Sequence, residues 1–153
     1  MATAWEAEFP NLKPENWQIT SSATLAYNCI AWAAGDTTKR WWPDPFGQLY
    51  WPTAIPRVAS VDNFVKLFEE RGYSRCADGS LEPGFEKVVI YAKGPVRAVK
   101  HAASQLDDGS WSSKLGQLED IHHKSPEGLT SVLYGEPVQF LKRPRKSSKT
   151  PVP

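Results

Sequence analysis

Residues 86–114, EKVVIYAKGPVRAVKHAASQLDDGSWSSK, decide the fold class. Within them, 86–92 (EKVVIYA), 98–106 (AVKHAASQL) and 110–114 (SWSSK) are short segments bounded by turn formers, as strands are. Asp107, Asp108 and Gly109 join the last two in the manner of a tight hairpin. The aspartates are turn chemistry and not a calcium loop, because the further oxygen ligands of such a loop do not follow. The centre of the chain therefore reads as a run of antiparallel strands.

Working outward, Ser60 is placed to cap a helix whose Val61, Phe64, Val65, Leu67 and Phe68 recur at amphipathic spacing, up to Gly72. A shorter apolar helix is expected from Cys29 to Ala34, with Asn28 as its cap and Gly35 as its stop. Residues 36–59 hold four prolines and no helix or strand period, and a loop of that length tends to be functional. Its Trp41, Trp42, Phe46, Tyr50 and Trp51 are expected to pin it to the core. Downstream, 114–123 reads as a short helix and 133–141 as a last strand weakened by Pro137. Residues 1–26 form an irregular arm packing through Trp5, Phe9 and Trp17. The expectation is one α+β domain over 1–141, with helices on one side of a small antiparallel sheet, then a basic flexible tail over 142–153.

The chain has 153 residues, 41% of them hydrophobic and 23% charged, enough for a real core in one domain. No apolar run approaches the ~20 residues of a membrane span, and MATAWEAEFP lacks the pattern of a secretory signal. Two cysteines, Cys29 and Cys76, are too few to staple a domain, so a reduced cytoplasmic protein is expected. The net charge of +1 hides a split: residues 142–153 hold five of 18 basic residues and no acid, leaving a mildly acidic body. That body argues against a nucleic-acid surface, except through the tail. No phosphate-binding glycine loop or dinucleotide fingerprint is present, so kinase, NTPase and dehydrogenase chemistry and any cofactor are not expected. Glu119, Asp120, His122 and His123 have metal-ligand character, but adjacent histidines point apart, and a solvated helix end is the expected role.

Chemistry narrows to Cys29 and His101. A cysteine at a helix start feels backbone amides that favour thiolate and can hold an oxyanion. A later strand histidine is a candidate base if the fold brings it within hydrogen-bond reach. The alternatives stand beside these: a cysteine among Ile30, Ala31 and Trp32 is equally a small core hydrophobe, and His101 beside Lys100 a strand-end surface residue.

The combination of YNCIAWAAGDTTKRWWPDP, GSLEPGFEKVVIYA and HAASQLDDGSWSSKLGQLEDIHH resembles a bacterial domain family of unknown function over roughly residues 25–142. More distantly, YNCIAWA resembles the nucleophile segment of papain-like and NlpC-like cysteine hydrolases, and HAASQLDDGSWSSKLG their histidine strand and hairpin. That second resemblance implies a papain-like fold with Cys29 as nucleophile and His101 as base. For the group orienting the imidazole it offers Ser113, or Gln117, Glu119 or Asp120 reaching back. The implied activity is a hydrolase or acyltransferase working on an amide, isopeptide or ester bond of a peptide or acyl substrate. The competing expectation is a non-catalytic protein-interaction domain, with Cys29 in the core and the aromatic loop or the tail meeting a partner.

Overall fold

The computed structural model describes residues 3–115 and 118–145. Its centre is a seven-stranded sheet: β1 (Gln18–Ser21), β2 (Ser74–Cys76), β3 (Phe85–Lys93), β4 (Ala98–Gln105), β5 (Trp111–Lys114), β6 (Asp120–His123) and β7 (Glu136–Pro144). The order across the sheet is β1-β6-β5-β4-β3-β7-β2, and each neighbouring pair is antiparallel. β3 to β6 thus form a meander; its β3–β5 part is the run of strands read from the sequence, and β6 is an addition. The β4–β5 turn closes through Leu106 N–H to the Ser110 carbonyl, with Gly109 at φ 90°.

Helices are few and short: α1 (Thr3–Glu8), α2 (Cys29–Ala34) and α3 (Val61–Glu69), with 3-10 turns at Pro10–Glu15 and Pro126–Leu129. The caps of α2 and α3 are those read from sequence. Asn28 Oδ1 accepts from Ala31 N–H, and Ser60 Oγ from Asn63 N–H. Gly35 ends α2 at φ 86°, where a Cβ is costly.

The papain-like expectation is overturned. The fold is dominated by a seven-stranded antiparallel sheet, and its helical segments lie on both faces instead of one. On one face α2, α3 and the 36–59 loop bury Ile30, Phe64, Phe68 and Trp51 against Val88, Ile90, Ala102 and Leu141. On the other, the N-terminal arm sends Phe9 and Leu12 against Val89, Tyr91, Ala103, Trp111 and Ile121. The sheet has two cores, and every second residue of β3 to β6 serves the opposite one.

Three further expectations are corrected. Residues 120–123 are strand, not helix: Asp120 and His122 face one way, Ile121 and His123 the other, a period of two hidden in four residues. β7 continues through Pro144, so Lys142 and Arg143 belong to the sheet and not to a tail; residues 146–153 lie outside the described ones. The 1–26 arm holds α1, a 3-10 turn and β1. Pro137 is tolerated in β7 because β2 pairs only with Phe140 to Lys142, which leaves Pro137 on an open edge.

Candidate functional site

Cys29 opens α2, as expected, but its side chain is 6% exposed and packs in the α2–α3 core. Burial pushes the thiol up to about 11, and the backbone N–H groups of Ala102, Ile30 and Cys29 with the Lys114 charge offset only part of this. Nothing in that setting makes a thiolate at neutral pH.

His101 lies on the opposite face. β4 presents its Ala102 main chain to the Cys29 side of the sheet, and alternation sends the neighbouring imidazole into the other core. There the ring is fully buried, stacks on Tyr134 at 4.2 Å with 6° between planes, and lies 5.1 Å from Tyr91. Among the described residues no hydrogen bond joins Cys29 to His101, and the register of β4 turns the imidazole toward the core opposite the one in which Cys29 packs.

Ser113 does meet His101. Its Oγ lies 3.0 Å from His101 Nε2 and 2.8 Å from His123 Nε2, and all three residues are fully buried. Hydrogen-bond logic assigns the protons. His123 Nδ1 sits 2.8 Å from the Ser125 carbonyl, which can only accept, so Nδ1 carries hydrogen and Nε2 accepts from Ser113. Ser113 Oγ then accepts from His101 Nε2–H, which leaves His101 Nδ1 as a bare, buried acceptor with no partner among the described residues. Burial holds His101 well below the ordinary histidine value and lowers His123 to about 4. Both rings are thus neutral, and this is a structural polar chain. Ser125 ties it to the arm, because Glu15 accepts from Lys124 N–H, Ser125 N–H and Ser125 Oγ.

A second polar group sits on the Cys29 side, and sequence reasoning missed it. Asp120 Oδ2 accepts from Ser21 Oγ at 2.6 Å and Tyr27 OH at 2.8 Å, and Lys114 Nζ donates to the Leu118 carbonyl while lying over the Tyr27 ring. Desolvation, with the Asp120 bond and charge, raises the Tyr27 phenol; desolvation lowers Lys114. Alternation along β5 and β6 was the signal that places Lys114 and Asp120 together as register partners. Asp120, one of the alternatives to Ser113 for orienting His101, lies on the other face. Glu119 instead accepts from Trp5 Nε1 at 3.2 Å, and Gln117 lies outside the described residues. Glu119, Asp120, His122 and His123 are not a solvated helix end. Among the described residues no group of three or more His, Cys, Asp or Glu is placed to hold a metal. Cys29 and Cys76 are both free thiols.

The 36–59 loop is pinned as expected by Trp41 and Trp51, both nearly fully buried, with Trp42 packed against the same core. Asn28 Nδ2 donates to the Trp41 carbonyl, Trp41 Nε1 to Asp36, and Trp51 Nε1 to the Ile55 and Pro56 carbonyls. Phe46 departs from the expectation: it stands 83% exposed. It occupies the Asp44–Pro45–Phe46–Gly47 turn, which Asp44 ties by accepting from Gln48 N–H, Leu49 N–H and Arg57. These amides hold the Asp44 carboxyl below its ordinary value.

Among the described residues no helix is long and apolar enough to cross a membrane. No curated protein matches the chain, and no solved structure does. No comparison links it to papain-like or NlpC-like hydrolases. A family model does match, over residues 18–142, and this chain belongs to that family, the domain of unknown function DUF7689.

Proposed function

We propose that this is a non-catalytic protein-interaction domain whose 36–59 loop carries a contact surface. The observation that supports it is Phe46, an apolar ring 83% exposed at the tip of a turn that Asp44, Pro45 and Arg57 hold rigid. A large aromatic kept in water on a pre-organised loop is what binding surfaces use, because little freedom is lost on docking. The separation of Cys29 from His101 favours this reading over thiol chemistry. We place the domain in the cytoplasm, where Cys29 and Cys76 stay reduced.

The test is partner retention from the native host by wild type, Phe46→Ala and Cys29→Ala. A partner held by wild type and Cys29→Ala but lost by Phe46→Ala supports the reading. Retention that ignores Phe46, or a hydrolytic activity that disappears with Cys29→Ala, overturns it.

A further inference from the structure

The β3–β4 turn, Gly94–Pro95–Val96–Arg97, has a feature that packing does not explain. Arg97 adopts φ 54°, in the left-handed region where glycine sits without strain and a branched-out side chain does not. The turn is closed by Arg97 N–H to the Gly94 carbonyl at 3.0 Å, with Pro95 fixing its first corner. Of the seven arginines, five engage carboxylates, carbonyls or rings through their guanidinium groups. Arg97 has no such partner among the described residues.

Arg97 and Val138 line two adjoining cavities. One, of about 300 Å³, continues along Lys93, Gly94, Ser131 and Glu136. The other, of about 290 Å³, continues along Val61, Asp62 and Gln139. Val96 and Val132, on the turns that border the first cavity, are 84% and 83% exposed. Asp62 is already engaged by Arg75 at 3.2 Å. In the first cavity two cations, Lys93 and Arg97, face one carboxylate, Glu136, which leaves positive charge uncompensated.

We propose that the two cavities on either side of Arg97 form a groove for an extended peptide segment of a partner protein, one that carries a glutamate or aspartate between small apolar residues. The planar guanidinium pairs with the carboxylate through two parallel N–H bonds, and Val96, Val132 and Val138 meet the flanking side chains. The Pro95 turn fixes the backbone from which both the valine and the arginine project. The proposal takes its class of ligand from the interaction-domain reading, but its residues are not those of the Asp44–Gly47 turn.

The test is a titration of ¹⁵N-labelled protein with acetyl-Val-Glu-Val-amide, acetyl-Val-Gln-Val-amide and sodium acetate. The glutamate peptide is expected to shift the amides of Lys93, Gly94, Arg97, Ser131 and Glu136 saturably, at least tenfold more tightly than the glutamine peptide or acetate. Arg97→Gly keeps the turn without strain, so it is expected to melt higher than wild type and to lose at least tenfold in peptide affinity. Arg97→Lys keeps charge without the fork and is expected to fall between. Equal binding of both peptides, equal binding of acetate (an adventitious ion only), no saturable shift, or unchanged affinity in Arg97→Gly each overturns the proposal. Phe46→Ala is expected to leave the titration unchanged. If it abolishes peptide binding, the peptide belongs to the aromatic loop and the groove is overturned, whereas loss of the native partner alone bears only on that loop.

Discussion

The two faces of one sheet are built to different rules. Under α2 and α3 one face is filled by aliphatic and aromatic side chains, with Cys29 among them as one more small apolar group. Its polar group of Ser21, Tyr27, Lys114 and Asp120 is gathered at the β1–β6–β5 end. The face under the N-terminal arm carries a hydrogen-bonded line, His101 to Ser113 to His123 to Ser125, inside an equally buried core. An apolar core tolerates change in proportion to volume. A buried polar line is stable only while each member keeps its partner. The difference shows why a helix-start thiol and a strand imidazole need not share a core: His101 and Ala102, neighbours along β4, serve opposite faces, and Cys29 packs on the side of Ala102.

The sharpest way to break the comparison is through the arm. Phe9→Ala is expected to cost about 3–5 kcal/mol in denaturant melts, since the ring is fully buried and touches Tyr134 at 5.0 Å between centroids. A cost under 1 kcal/mol would make the arm an accessory and the core it covers self-sufficient. Acid comes next. His123 titrates at about 4 when folded, against about 6.5 unfolded. The unfolded chain therefore binds the proton first, and stability is full above about 6.5 and falls as pH drops toward 4. The loss from His123 is roughly 3 kcal/mol, with His101 adding in the same direction. His123→Phe is expected to flatten that slope, and an unchanged slope would remove the histidine line as its cause.

Paired serines sharpen the contrast further. Ser113→Ala strands ring nitrogens of two buried histidines and is expected to cost about 2–3 kcal/mol. Ser112→Ala, one residue along and on the other face, gives up the bond from Trp32 Nε1 and is expected to cost about 1 kcal/mol. Equal costs would erase the distinction between the faces. Cys29→Ala is expected to be as mild as Ser112→Ala, about 1 kcal/mol for a lost small apolar group. In the folded protein, iodoacetamide at pH 8 is expected to modify Cys76 and spare Cys29. Rapid alkylation of Cys29 would contradict its burial.

The parts of this fold that local chemistry dictates were legible in the residues. Asn28 and Ser60 as caps, Gly35 as a stop, the Asp-Asp-Gly turn and the β3–β5 meander all follow from bonds within a few positions. What did not follow was anything set by distant pairing. β1 and β2 have four and three residues and gain their identity only from β6 and β7. Residues 120–123 mimic a helix end because a period of two needs more than four residues to declare itself. The candidate site was legible only in part, Ser113 beside His101 but Cys29 in the other core, for a related reason. Cys29 at a helix start and His101 on a strand were placed correctly as elements, but which face a strand residue points to is decided by register, and β4 carries a bulge against β3 at Tyr91/Ala92.

The same two short border strands carry a consequence for solubility. A sheet's outer strands expose unpaired backbone donors and acceptors that can recruit another chain. Here those borders are Gln18–Ser21, interrupted by an irregularity between Ile19 and Ser21, and Ser74–Cys76, which carries the charge of Arg75. Neither offers a flat ladder long enough to template a growing fibre, and the stretch of β7 that β2 leaves uncovered is interrupted by Pro137, which has no N–H to offer a new strand.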